Sequence, residues 1–185
     1  SAVDAALGAA ATLTVVEPTS NGIGGDAFAL VWDGGRLHGL NGSGRAPAAL
    51  TRERVAAEGH TSFPARGWLP VTVPGAPRAW QDLHERFGRL PFAKVVEPAI
   101  EAASAGALVT PIVAMFWEYA ARGYARLDDV LFDPWRATFA PAGRAPRAGE
   151  LFRSPDHAAT LQRIAEAGAA DFYTGALAER IVAFS

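Results

Sequence analysis

The chain has 185 residues, half of them hydrophobic and 19% charged, with a formal net charge of -2. That is enough for one domain with a real core and too apolar for a disordered tail. The charge balance excludes a non-specific nucleic-acid surface, no stretch approaches the roughly 20 unbroken apolar residues of a membrane span, and the absence of cysteine excludes disulfides and thiolate metal sites.

Arginine outnumbers lysine sixteen to one, yet the arginines are scattered rather than clustered as a phosphate-binding face requires. The chain opens directly on the helix-like Ala2-Val3-Asp4-Ala5-Ala6-Leu7, with no basic and apolar leader pattern. It stops inside the apolar run Ile181-Val182-Ala183-Phe184-Ser185. Both ends are expected to be cuts from something longer, which leaves the compartment open, cytoplasmic or exported.

Val3, Leu7, Ala10 and Thr14 recur at helical spacing, and Pro18 ends that helix. The stretch Asn21-Gly22-Ile23-Gly24-Gly25 follows. Its glycines admit positive φ or the close approach of another backbone or a ligand. The loop runs helix-to-strand, whereas phosphate loops run strand-to-helix, so a nucleotide site is not expected. Ala27-Phe28-Ala29-Leu30-Val31-Trp32 is apolar on both faces and predicts a strand covered above and below. Asp33-Gly34-Gly35 is a hairpin turn, returning as Leu37-His38-Gly39-Leu40. Asn41-Gly42-Ser43-Gly44-Arg45-Ala46-Pro47 is then a small-residue loop carrying one cation. It matches a nucleophile elbow only superficially, because Asn41 stands where that motif needs glycine.

Thr51 to Glu58 predicts a short helix, His60 to Pro70 an irregular stretch, and Val71-Thr72-Val73-Pro74-Gly75 an extended piece entering a turn. Ala76, Ala79, Trp80, Leu83 and Phe87 mark an amphipathic helix stopped by Gly88, with Gln81, Asp82, Glu85 and Arg86 facing water. Val95, Val96, Ala99, Ile100 and Ala103 predict another, which Pro98 should kink or divide. Thr110-Pro111 opens a third, with Ile112, Phe116 and Tyr119 on one face and Gly123 past its end. Between Tyr124 and Arg153 the proline and glycine punctuation predicts loops, with room for a short hairpin or a subdomain boundary. Ser154-Pro155-Asp156 caps a helix through Ala158, Leu161, Ile164 and Ala165 that stops at Gly168, and Thr174 opens a last one through Leu177, Ile181 and Phe184.

His38, His60, His84 and His157 are too dispersed for a metal site and read as surface or hairpin residues. Neither a metal nor another cofactor is expected. Asp128-Asp129 are adjacent and point apart on a helix. Glu17 and Asp26 flank the glycine loop, and accepting its amides is favoured over catalysis. Trp32, Trp80, Phe87, Phe116, Trp117 and Tyr119 lie at core spacing. Arg45 can clamp a carboxylate bidentately or bind loop carbonyls; the chemistry leaves both open.

Several of these stretches in order resemble the opening of the large subunit of gamma-glutamyltransferase-type enzymes. They are Val3-Asp4-Ala5-Ala6, Val16-Glu17-Pro18 through Gly22-Ile23-Gly24-Gly25, Ala46-Pro47-Ala48, Val73-Pro74-Gly75, Gly88-Arg89-Leu90-Pro91 with Val95-Val96-Glu97-Pro98-Ala99-Ile100, and Ala167-Gly168 with Asp171-Phe172-Tyr173-Thr174-Gly175. The resemblance covers almost the whole of residues 1–185, taken as a single-domain fragment. It implies an α+β fold of the N-terminal nucleophile hydrolase type, an αββα four-layer sandwich incomplete in this chain. It further implies a precursor that cuts itself before a threonine, and a threonyl acyl-enzyme that passes a gamma-glutamyl or related acyl group to water or an amine.

The threonine and its oxyanion donors belong to a small-subunit half outside this chain, so no residue here is expected to be catalytic and the fragment alone is expected to be inactive. In gamma-glutamyltransferases proper, the arginine that holds the substrate carboxylate occupies the position of Ser43; here Arg45 lies two residues on. Two residues along a strand return a side chain to the same face, roughly 6 to 7 Å further. Ser43 and Arg45 are therefore the candidate substrate-binding residues, and a related amidase or acylase is expected at least as readily as glutathione chemistry. The rival reading is a non-catalytic binding or structural protein on the same scaffold. Because a hairpin apolar on both faces needs a partner sheet, self-association of the isolated fragment is also expected.

Overall fold

The capping box at Ser1 starts helix α1 (Ala2–Val16): the Ser1 hydroxyl accepts the Asp4 N–H at 3.2 Å, and the Asp4 carboxylate answers the Ser1 backbone. In this computed structural model, which describes residues 1–127 and 130–185, the Asp128-Asp129 pair lies outside the described residues. The chain resolves into two compact units, one formed by Ser1–Gly22 and His84–Gly168, the other by Ile23–Leu83 and Ala169–Ser185.

The first unit is helical. Leu7, Ala11 and Val15 of α1 are buried, as are Val95, Val96, Ala99 and Ala103 of α4 (Phe92–Ala105). Small residues let the two helices approach closely: a Cβ on Gly8 would stand 3.0 Å from the Val95 carbonyl oxygen. Pro98 lies inside α4 without dividing it, and it sits on the exposed side. The buried Asp4 carboxylate accepts the Arg89 N–H at 3.1 Å and so ties α1 to the turn before α4.

Next come the two-residue strand β3 (Ala107–Leu108), helix α5 (Pro111–Tyr124) and helix α6 (Asp133–Phe139). The two-residue strand β4 (Leu151–Phe152) pairs antiparallel with β3, and α7 (Pro155–Ala167) buries Ala158, Leu161 and Ile164. Thr110 caps α5 as its sequence predicts, accepting from the Val113 N–H. The buried face of α5 differs from the expected one. Val113 and Trp117 point inward, while Ile112, Phe116 and Tyr119 are half or more exposed, and Gly123 falls inside the helix. The indole of Trp117 decides this register: it packs edge-on against Phe152 at 4.7 Å and donates to the Phe139 carbonyl at 2.8 Å. Helix α6 arises where the prolines predicted loops, with Pro134 in its first turn, where its missing N–H costs nothing. Ser154 precedes α7 as expected, yet its buried side chain makes no capping bond.

The second unit begins with the hairpin β1 (Ala27–Trp32) and β2 (Leu37–Gly42), in register from Ala27 opposite Gly42 to Trp32 opposite Leu37. Asp33 organises the turn, accepting the Gly35 and Arg36 N–H groups at 3.0 and 2.8 Å. The expectation that β1 is covered on both faces is corrected. Ala27, Ala29 and Val31 are half-buried, but Phe28, Leu30 and Trp32 are 68, 76 and 64% exposed. The hairpin is a two-stranded sheet of its own. Helix α2 (Arg52–Ala57) starts at a Thr51 cap, and α3 (Ala76–Phe87) buries Ala76, Ala79, Trp80 and Leu83. Gln81 does not face water as expected, because its side-chain oxygen accepts the Ala169 N–H. The last elements are α8 (Ala170–Thr174), missed in the sequence, and α9 (Ala176–Phe184), which begins after Gly175 rather than at Thr174.

Candidate functional site

The glycines of the first loop do not use the freedom expected of them: Gly22, Gly24 and Gly25 have no positive φ, and a Cβ on Gly22 or Gly24 would meet open space. The close backbone crossing lies further on, where the loop after β2 meets the segment leading into α3. A Cβ on Gly44 would run into the Val73 carbonyl, and one on Gly75 into the Gly42 carbonyl. The Val73 N–H donates to the Arg45 carbonyl at 3.0 Å and locks the two segments in register. Asp26 fixes the same loop from the other side, accepting the Gly44 N–H at 3.0 Å. The expected partners of Asp26 are amides of the glycine loop it flanks; the amide it takes belongs to the loop after β2 instead. No side-chain hydrogen bond of Glu17 occurs among the described residues, and its backbone carbonyl takes the Ser20 and Asn21 N–H groups.

The glycine loop serves the start of α3. The first N–H groups of a helix lack intrahelical partners and must find others. Here the Gly25 carbonyl accepts from both Gly75 and Ala76 at 3.0 Å, and Pro77 has no N–H to satisfy. The remaining donor, Arg78 N–H, goes to the Tyr173 hydroxyl at 3.1 Å; that hydroxyl itself donates to the Pro74 carbonyl at 2.7 Å. Burial pushes the Tyr173 hydroxyl above its ordinary pKa and keeps it a donor.

These segments enclose an open cleft of about 490 Å³ whose lining includes Ser43, Arg45, Arg78, Asp82, Tyr173 and Thr174. Two of its side chains are cationic. Arg78 is held by Asp82 through a 2.8 Å bond from Nε to Oδ1. Arg45 is exposed, and among the described residues its guanidinium has neither a hydrogen-bond nor an ion-pair partner. The alternative of an arginine spent on loop carbonyls is therefore not realised, and the five N–H donors of Arg45 remain available to an anion. Ser43 lines the same cleft, its hydroxyl donating to the Asn41 side-chain oxygen at 2.8 Å.

Nothing in the local sequence marks Tyr173, Arg78 or Asp82 as site residues. The paired glycines at 42 and 44 with Gly75 after Pro74 were the usable signal, since backbones that touch need residues without Cβ. The remaining candidates serve structure. Thr14 donates its hydroxyl to the Ala11 carbonyl at 2.7 Å, so at 3.2 Å the His157 Nε2 must donate to Thr14. Burial lowers the His157 pKa and favours that neutral imidazole, which corrects its assignment as a surface residue. His38 pairs with Asp33 at 2.7 Å on the hairpin, and His84 meets the Leu90 carbonyl at 2.7 Å. No cluster of three or more potential metal ligands occurs among the described residues. Nor is any helix there long and apolar enough to cross a membrane.

Comparison with known proteins settles the lineage. Residues 1–185 match the family model described as gamma-glutamyltranspeptidase. The chain belongs to that family. Among curated members of the gamma-glutamyltranspeptidase family it is 36% identical over 185 residues to the glutathione hydrolase-like YwrD proenzyme of Bacillus subtilis, covering 98% of this chain and 34% of that one. It is 35% identical over 189 residues to the oxamate amidohydrolase proenzyme of Klebsiella pneumoniae, again covering 98% and 34%.

Among solved structures, cephalosporin acylase from Bacillus halodurans superposes with a TM-score of 0.96 at 55% identity, over 99% of this chain and 34% of that one. The gamma-glutamyltranspeptidase of Helicobacter pylori gives 0.86 at 27%, over 97% and 52%. The mixed helix-and-strand fold is thus that of N-terminal nucleophile hydrolases of the gamma-glutamyltranspeptidase and acylase type. The chain spans about a third of the length of the curated relatives named here.

Proposed function

We propose that this chain is the N-terminal part of the large subunit of an amide-cleaving proenzyme, and that it supplies the carboxylate-binding wall of the substrate site. The single observation that carries the reading is Arg45: a cation with no side-chain partner among the described residues, in an open cleft, on a loop whose backbone is fixed by Asp26, Val73 and a crossing of glycines. Asp82 neutralises Arg78, so Arg45 is the cation of this cleft left for a ligand carboxylate.

The nucleophile is a threonine in the small-subunit half, freed by self-cleavage, with its own α-amine as general base. It attacks the acyl carbon, the amine leaves, and water or a second amine takes the acyl group from the threonyl ester. Supplied with that half, the apolar face of Phe28, Leu30 and Trp32 is covered by a second sheet layer, completing the αββα sandwich.

The substrate class follows from the position of the arginine. With Ser43 where gamma-glutamyltransferases place the clamp, and Arg45 two residues on, a ligand carboxylate sits at a different distance from the scissile bond. An acylase or amidohydrolase acting on a non-glutamyl amide fits this arrangement better than glutathione hydrolysis. The 55% identity to a cephalosporin acylase, against 27% to a gamma-glutamyltranspeptidase, supports the same branch.

Arg45→Ala in the full-length processed protein is expected to raise KM for a carboxylate-bearing amide by a factor corresponding to about 2 to 5 kcal/mol. Self-cleavage and kcat should change little. Steady-state kinetics check this, and an unchanged KM rejects the clamp.

A further inference from the structure

We infer that Tyr173 is a positioning residue for the anion-binding loop, acting through the backbone of Pro74 and Arg78; the inference rests on the clamp role of Arg45 proposed above. Tyr173 is far in sequence from the segment it touches and is not on the loop it controls. Its hydroxyl is a helix cap supplied from a distance. Gly75, preceding α3, has no side chain to cap the helix, the Gly25 carbonyl already takes the Gly75 and Ala76 N–H groups, and Pro77 has none. Arg78 N–H is the donor left over, and the Tyr173 oxygen accepts it at 3.1 Å. The hydroxyl proton goes at 2.7 Å to the carbonyl of Pro74, a residue that cannot itself donate to anything.

One hydroxyl thus clamps both sides of the turn entering α3. The next residue back, Val73, donates to the Arg45 carbonyl, and the Gly44–Val73 and Gly75–Gly42 approaches leave no room for a Cβ. Backbone packed this tightly transmits a displacement instead of absorbing it. If the Pro74 turn relaxes, the Arg45 backbone loses its register, and a bidentate clamp depends on that register for its angle to the carboxylate.

The test is Tyr173→Phe in the full-length processed enzyme, which removes one oxygen and keeps the ring. Kinetics are measured with a carboxylate-bearing amide and with its uncharged analogue, beside Arg45→Ala and the double variant. Hydrogen exchange is followed at the Val73 and Arg78 amides. Tyr173→Phe removes both hydroxyl bonds; it is expected to speed exchange at both amides and to raise KM for the charged amide about threefold to tenfold, the worth of one of those two neutral hydrogen bonds. The uncharged analogue should be unaffected, and in the Arg45→Ala background the Tyr173 effect should vanish.

A KM that rises equally for both substrates, an effect that persists without Arg45, or unchanged exchange at Val73 and Arg78 each overturns the inference and leaves the clamp standing. An Arg45→Ala variant with normal KM overturns the clamp and the inference together, so the two failures are distinguishable.

Discussion

Each unit is held together within itself by a different kind of contact. In the first, side chains meet side chains: Leu161 and Ile164 of α7 and Val96 of α4 are wholly buried, and Trp117 closes a second cluster with Val109, Val113 and Phe152. In the second, the decisive contacts join backbone to backbone, through Gly42, Gly44 and Gly75, with Asp26 and Tyr173 as the side-chain anchors. A core of side chains carries stability and tolerates repacking. A backbone crossing carries geometry, and it tolerates almost no added atom at its glycines while permitting wide change around them. The candidate site sits on the second kind of contact, which suits a loop that must hold one guanidinium at a set angle.

The harshest way to strain this contrast is to damage the first unit. Trp117→Ala empties the centre of its cluster and strands the Phe139 carbonyl, so it should destabilise by about 3 to 5 kcal/mol. Denaturant unfolding of the full-length protein gives the loss, and kinetics below the transition should show an unchanged KM. A raised KM without lost stability would mean that the contrast between the units is false.

Glycine substitutions sharpen the comparison at somewhat lower cost. Gly75→Ala places a Cβ against the Gly42 carbonyl and should cost about 1 to 3 kcal/mol, with KM rising as the Arg45 loop shifts. Gly24→Ala meets nothing and has no positive φ to oppose it, so its effect should stay within about 0.5 kcal/mol. Equal effects from the two would show that the crossing is not where the geometry is stored.

The same difference explains what was legible in the sequence. Helices whose periodicity is set by side-chain burial, such as Ala2–Val16 and Ala76–Phe87, could be read from apolar spacing and stop signals. The register of Pro111–Tyr124 could not, because Ile112, Phe116 and Tyr119 are as apolar as the residues actually buried, and only contacts distant in sequence choose Val113 and Trp117. Arg45 was legible as a lone cation in a glycine-rich loop. That no described side chain pairs with it was not, because pairing is decided by contacts distant in sequence. The glycines at 22 and 24 are as legible as those at 42, 44 and 75 yet make no close crossing, for a related reason: sequence marks where a backbone can approach another, and tertiary structure decides which of those places is used.

The smallest expected effect sets one carboxylate of each unit against the other. Glu150 in the first unit is held down to about 2 by the Arg144 guanidinium, with help from the Arg147 N–H. Asp33 in the second is held down to about 2 by His38, with help from the Gly35 and Arg36 N–H groups. A carboxylate depressed by folding contributes stability above its unfolded pKa and loses it as the pH falls through its folded one. Both contributions should therefore be complete at neutral pH and disappear between roughly pH 4 and 2.

The partners make the pair separable by carboxyl NMR titration. Arg144→Ala should return Glu150 most of the way to its ordinary value, since a permanent charge has been removed. His38→Ala should return Asp33 only part of the way, because two backbone amides of the turn still point at it. If Asp33 recovers fully on loss of His38, the hairpin turn is held by its side-chain pair and not by its backbone. The rule that backbone contacts govern the second unit would then stop short of its first turn.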